Sequence, residues 1–304
     1  IFHSLGHSNE IREILRRIIM PLHDDNNSKP LPFDNVEILH TDFSTYVPVI
    51  YETVQSVMMS LNDEFENLPV TFAEGIPVRL SRPAKALNTW IKWVTEGYPQ
   101  TILVDMISDG LISVDPVDDP PDSSELARVL RNLKIVSGLN RTGEMLRSRL
   151  EDLQSAKLSC GRNEFTSFKR TNDRDLNVER EIRYAQALIS IFDRLAVCSQ
   201  PDTTDLKKQL YNCLTFLKTC ARSYTEIDNY GLQSLVRHLE EMSGATKSEE
   251  TTTGLDIMRW AQNLTENVRI MGSGSRPGMI HVDNIYSGGH TGRSHTFIVG
   301  LDDE

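Results

Sequence analysis

Three histidines, His281, His290 and His295, fall close together near the C-terminus, beside the glycine-rich segment YSGGHTGRS and the acid run LDDE. Histidines and carboxylates that converge can hold a divalent metal, and an acid strand followed by a (D/E)xK strand is the arrangement of a metal-dependent nuclease. Neither spacing is present: there is no HExxH and no convincing acid strand pair, and strand alternation directs residues of opposite parity to opposite faces. LDDE and the earlier DDPPDSS read as a surface turn and a solvated loop. No GxSxG elbow selects a nucleophile. The sequence therefore offers no complete catalytic constellation and no metal site.

Phosphate binding is the chemistry that remains. A GxxxxGK[ST] loop, which would present backbone amides and a lysine to a nucleotide, does not occur. GSGSRPG (272–278) precedes a strand rather than a helix and reads as a linker. YSGGHTGRS can bring its backbone close to a phosphate, or be a plain hairpin-like turn. Charge marks a second candidate: residues 105–125 carry seven acids and no Lys or Arg, whereas residues 128–174 carry eleven Lys or Arg against five acids. Within that block Arg128, Arg131 and Lys134 share a helical stretch. They would either touch a phosphate backbone or form a solvated face paired with the neighbouring acids. The whole chain has a formal net charge of -11, so any nucleic-acid contact is local.

These residues must be carried by elements, and periodicity supplies them. Ile11, Ile14, Leu15, Ile18 and Ile19 line one face of a helix over 9–20, with Arg12, Arg16 and Arg17 largely opposite. VEILH (36–40) is a short β run, and YVPVIYETVQSVMMSLNDEF is helical. LPVTFAEGIPVRLS gives a short strand, a turn and an extended piece. From about residue 82 the texture is helical: RPAKALNTWIKWVTEGY, DLNVEREIRYAQALISIFDRLAV, DLKKQLYNCLTFLKTCA, DNYGLQSLVRHLEEM and TGLDIMRWAQNLTENVRIM repeat apolar residues at helical spacing. β character returns at residue 279, with strands near 280–285 and 296–301. The expected fold is α/β but mainly helical, one lobe formed by residues 1–80 and 277–304 and interrupted by a helical subdomain at 81–276. The four cysteines, Cys160, Cys198, Cys213 and Cys220, show no CxxC pair and read as buried thiols. No apolar run is long enough to span a bilayer and no signal peptide opens the chain, so the expectation is a cytoplasmic protein without membrane contact. A first residue Ile1, and an end directly after the strand-like TFIVGL, predict a piece of a longer polypeptide.

With its flanking strands, IHVDNIYSGGHTGRSHTFIVGLDDE resembles the C-terminal RecA-like lobe of UvrD-type superfamily-one helicases. There a strand leads into Thr-x-His-x-x-Lys-Gly-Leu-Glu and then a buried strand ending Val-Gly-Leu-acid-acid. Asn284 falls at the Thr, Tyr286 at the His, Gly289 at the Lys, His290 at the Gly and Gly292 at the Glu. NEIREILRRII, VEILHTDFSTYVPVIYETV and GIPVRLSRPAKAL are similar to that lobe's entry helix, strand, next helix and the strand leading to its helical subdomain. A layout of this kind with degenerate motifs resembles the AddB-like, RecC-related subunit of bacterial helicase-nucleases.

The resemblance implies a RecA-like second lobe in two sequence halves and a scaffold role in double-strand-break repair and recombination. DNA and an AddA-like partner subunit would be its partners. ATP and Mg would serve the parent complex, with no cofactor held by this chain. A glycine at the lysine position removes the side chain that couples nucleotide state to DNA contact, so the chain itself is expected to be inactive. The expected DNA-contacting residues are Asn284, Tyr286, Ser287, Gly288 and Arg293, with Arg128, Arg131 and Lys134 of the basic block. Part of an active superfamily-one helicase, and a helical protein-interaction scaffold, are the alternatives.

Overall fold

The computed structural model describes residues 5–19, 31–60, 69–114, 121–133, 135–160, 168–199, 205–245 and 256–301, apart from the side chains of 58–60, 159–160 and 168–176. It shows a mainly helical α/β protein with a four-stranded parallel sheet. The chain divides into two compact units, residues 1–80 with 267–304, and residues 81–266. No helix among the described residues is long and apolar enough to cross a membrane.

The first unit opens with α1 (His7–Ile19), which buries Ile11, Ile14, Leu15 and Ile18 at the spacing of one helical face. On its polar side Glu13 accepts from Arg16 at 2.7 Å and Arg17 at 2.8 Å, and those bonds hold its carboxyl down at about 2. β1 (Val36–His40) is buried at all five positions, as expected for a strand covered on both faces of a parallel sheet. Asp42 then starts α2 (Phe43–Ser60) by accepting from the amides of Ser44 and Thr45 at 3.3 and 2.8 Å. Pro48 interrupts the bonding of that helix because it has no N–H for the Ser44 carbonyl. Arg79 Nη2 donates to this carbonyl instead, at 3.4 Å.

Strands from both ends of the chain then meet. β2 (Val70–Phe72), β5 (Ile280–Asn284), β1 and β6 (His295–Val299) lie in that order, all parallel. The register aligns Thr71, His281, Glu37 and Thr296 in one row across the sheet.

A second ladder was not expected from sequence. Residues 268–271 read as the tail of the last helix, but α10 (Ile257–Asn267) stops before them. β4 (Arg269–Ile270) instead pairs antiparallel with β3 (Ile76–Pro77). β character thus returns some ten residues earlier than the pattern after 279 suggested. The reason is tertiary: Val78 N donates to the Val268 carbonyl at 2.9 Å, and Ser273 N to that of Phe72 at 2.9 Å, a set of partners that the local sequence does not contain. The same bond takes the start of GSGSRPG beyond a simple linker.

The second unit comprises α3 (Arg82–Thr95), α4 (Gln100–Ser108), α5 (Ser123–Asn132), α6 (Leu139–Cys160), α7 (Phe168–Cys198), α8 (Leu206–Thr219), α9 (Glu226–Ala245) and most of α10. Its core is aromatic. Trp90 stacks on Phe216 with ring centroids 4.7 Å apart, and Trp93 meets Tyr98 edge-on at 5.0 Å. Two of its polar groups are matched, because Trp90 Nε1 donates to Ser199 Oγ at 3.0 Å and Tyr98 OH to the Ser199 carbonyl at 2.8 Å, whereas Trp93 Nε1 is buried without a partner. Cys198, Cys213 and Cys220 are free and buried, while the side chain of Cys160 lies outside the described residues.

Candidate functional site

The carboxyl end of a parallel sheet is where α/β proteins place ligands, because loops leaving the strands there define a crevice. Here that edge is formed by the ends of the four parallel strands, with β5 and β1 at its centre. A parallel crossover usually contains a helix. The β5–β6 connection, residues 285–294, has none and runs back along one face of β1.

Glycine makes this close approach possible. A Cβ on Gly288 would overlap Leu39 Cδ2 and sit 3.0 Å from the Asn284 carbonyl. Gly289 N reaches Glu37 Oε1 at 3.4 Å.

The turn itself is tied inward. Asn284 Oδ1 accepts from Tyr286 N at 2.9 Å, and the Asn284 carbonyl accepts from Ser287 N and Gly288 N at 3.1 and 2.7 Å. Ser287 Oγ donates to Asp283 Oδ1 at 2.9 Å. Consecutive amides from 286 to 289 therefore have acceptors within the protein, and a phosphate has no open amide cradle there. What the turn does present is the Tyr286 side chain, 90% exposed.

Arg293 is placed away from Asn284 and Tyr286. Its Nη1 donates to the carbonyls of Phe33, Val36 and Met279 at 2.9, 2.7 and 2.5 Å, and its Nη2 to Arg276 at 3.2 Å. These acceptors lie at the amino ends of β1 and β5, so Arg293 clamps the far end of the crossover. Burial of its guanidinium pushes its pKa down.

Beneath the crossover lies a polar row that the motif reading passed over. Glu37 and His281 are 1% and 3% exposed. Thr71 Oγ1 donates to the Ile280 carbonyl at 3.3 Å and lies 2.9 Å from His281 Nδ1. Burial lowers the His281 pKa, with Asp283 and Glu37 opposing that shift and Arg293 adding to it. His40, whose parity directs it to the other face, has Nε2 3.5 Å from Glu74, and burial lowers its pKa too. Glu74 also binds Arg269 at 3.0 Å, and Arg269 stands 3.7 Å over the Phe43 ring. The signal in the sequence was an ionisable residue inside each apolar strand, VEILH and IHVDN.

In the basic block, Arg128 pairs with Glu125 at 2.7 Å on α5. Arg147, Arg149 and Lys157 of α6 pair with Asp193, Glu181 and Glu179 of α7 at 2.6, 2.7 and 2.8 Å. Four of the eleven cations of the block are thereby paired among the described residues. Arg131 is exposed in the last turn of α5, and Lys134 lies outside the described residues. Of the three C-terminal histidines, His281 is buried in the sheet while His290 and His295 are exposed.

The chain matches no family model, no curated protein and no solved structure.

Proposed function

We propose that this chain is an AddB-like piece of an ATP-dependent helicase-nuclease that acts in double-strand-break repair and recombination, serving as a RecA-like scaffold that contacts DNA without catalysis of its own. One observation carries the reading. Strands from both chain ends form one parallel sheet with a helix-free β5–β6 crossover, and on this reading that crossover corresponds to the Thr-x-His-x-x-Lys-Gly-Leu-Glu segment of a superfamily-one helicase. Gly289, at the lysine position, has no side chain to link nucleotide state to DNA. ATP and Mg would serve the parent complex. Tyr286 at the histidine position stacks on an unpaired base, a sequence-tolerant contact worth about 1–3 kcal/mol per base.

The test is fluorescence anisotropy with a labelled oligothymidylate at about 50 mM salt. Tyr286→Ala should weaken binding by roughly fivefold or more, and the chain should hydrolyse no ATP with or without DNA. Binding unaffected by Tyr286→Ala would remove the turn from the interface. ATP turnover lost on substitution of a residue in this chain would favour an active helicase instead. The pairing of Arg147, Arg149 and Lys157 with α7 favours a second reading, a helical protein-interaction scaffold; on that reading no oligonucleotide binds.

A further inference from the structure

Outside the sheet, one arginine is held in place yet lacks an acceptor among the described residues. Arg222 follows α8 in a segment fixed by its backbone: Arg222 N donates to the Leu111 carbonyl at 2.9 Å, Ser113 N to that of Cys220 at 2.8 Å, and Ile112 and Ala221 form an antiparallel bridge. Its guanidinium carbon lies 3.9 Å from the centroid of the Tyr224 ring, and Tyr224 is 59% exposed. Nη1 comes so close to Gly110 that a Cβ there would sit 3.3 Å away. Nε is buried without a hydrogen-bond partner, and among the described residues no carboxylate pairs with this side chain.

A second guanidinium shares the ring. Arg82, at the start of α3, has its guanidinium carbon 5.5 Å from the Tyr224 centroid. Its carboxylate neighbour among the described residues, Asp228, is already engaged by backbone amides. Asp228 Oδ1 accepts from Arg82 N at 2.8 Å, and Oδ2 from Tyr224 N and Thr225 N at 3.3 and 3.2 Å. That leaves the Arg82 guanidinium 3.8 Å from Oδ2. Burial first, and then the charge of Arg82, push the pKa of Arg222 down. Two like charges side by side, one with a buried unmatched donor, are unfavourable unless an anion completes them. The chain has 43 acids to 32 Lys and Arg, so a missing internal partner is not for want of carboxylates. A guanidinium fork fits a phosphate through two oxygens at once, and the exposed ring beside it suits a nucleotide.

We propose that Arg222, Arg82 and Tyr224 form a phosphate-binding site that receives the phosphodiester backbone of single-stranded DNA. This rests on the DNA-contacting reading above and adds to it a contact in the helical unit.

The experiment compares the full chain with its Arg222→Gln and Arg237→Gln variants in two assays. The first is oligothymidylate anisotropy over a series of salt concentrations. The second is thermal melting in sodium phosphate against sodium chloride of equal ionic strength. Arg222→Gln is expected to weaken oligothymidylate binding about tenfold and to lower the magnitude of the log–log salt slope by about 0.7, the value for one phosphate contact on a single strand. Arg237→Gln, which changes an exposed arginine of α9 outside the site, should keep both.

Oligothymidylate binding with the same affinity and slope in Arg222→Gln overturns the site and leaves the DNA reading standing. If no oligonucleotide binds but phosphate raises the melting temperature of the parent and not of Arg222→Gln, the phosphate site stands and the DNA reading fails. Absence of both effects overturns both. An Arg222→Gln chain that melts lower by the same margin in chloride and in phosphate has lost an internal partner, and this also overturns the site.

Discussion

Glu37, His40 and His281 occupy strand positions that ordinarily hold Val, Ile or Leu, and each is nearly inaccessible to water. Burial disfavours the charged imidazolium, which is why both histidines titrate below their ordinary value of 6.5. The sign of the stability effect follows from this. In the unfolded chain they take up protons near the ordinary value, while the folded chain resists until lower pH. As pH falls through 6.5 the unfolded state binds more protons and stability declines, levelling off below the folded pKa values. The Glu13 pair is lost only toward its lowered pKa of about 2 and stays out of this window. Urea unfolding followed from about pH 8 to pH 5 should therefore show a falling midpoint, with a flatter profile in His40→Asn/His281→Asn whatever the absolute stability of that variant. An equally steep profile in the double variant would place the titrating groups elsewhere.

At the scale of elements, two glycines explain how a parallel sheet is closed without a crossover helix. Gly288 lets residues 285–294 lie on Leu39, and Gly300 ends β6. The φ of Gly300 is +78°, and a Cβ there would overlap Thr41 Oγ1 and approach the Tyr46 ring to 2.6 Å. Thr41 Oγ1 donates to the Gly300 carbonyl at 2.9 Å, which locks that approach. Gly289 has a similar φ of +83° but open space around the missing side chain. The pair separates backbone strain from steric overlap. Gly289→Ala should destabilise by roughly 1 kcal/mol from strain alone. Gly300→Ala should destabilise by roughly 3 kcal/mol, because the overlap with Thr41 and Tyr46 adds to the strain. Chemical denaturation of both variants is the measurement. Equal losses would mean that the Thr41 and Tyr46 contacts yield without cost.

For the molecule as a whole, the consequence of the topology is that the first unit needs both chain ends while the second is continuous in sequence. Residues 81–266 carry their own core around Trp90, Trp93 and Phe216. All three tryptophans of the chain, Trp90, Trp93 and Trp260, fall within them. A segment with a closed core of this kind folds alone. Excised residues 81–266 should therefore keep a helical circular dichroism spectrum and the buried tryptophan emission of the full chain, with a cooperative urea transition. Residues 1–80 alone should remain unfolded, since β1 would lose both sheet neighbours. An excised 81–266 with solvent-exposed tryptophan emission would show that its core depends on the first unit.

Local periodicity was enough for α1, where one apolar stripe and one charged face specify a helix without reference to anything distant. The same holds for β1, and for the strands read near 280–285 and 296–301, which the structure forms at Ile280–Asn284 and His295–Val299, the second ending earlier, before Gly300. The glycine-rich turn was also legible as a place of close backbone approach. What it approaches was not: Leu39 and Glu37 lie some 250 residues away in sequence. Arg293 looked like a cation for phosphate until tertiary structure surrounded it with carbonyls from residues 33, 36, 276 and 279. The basic block was legible as a local excess of charge, but which of its cations are paired was not: Arg147, Arg149 and Lys157 find Asp193, Glu181 and Glu179 of α7. Residues 268–271 fit a helix on local pattern and became a strand once residues 76–78 offered hydrogen-bond partners. A residue's type and its periodic face are local properties and can be read along the chain. Whether a charge is matched, or a backbone amide has an acceptor, depends on groups that only the folded chain brings within about 3 Å.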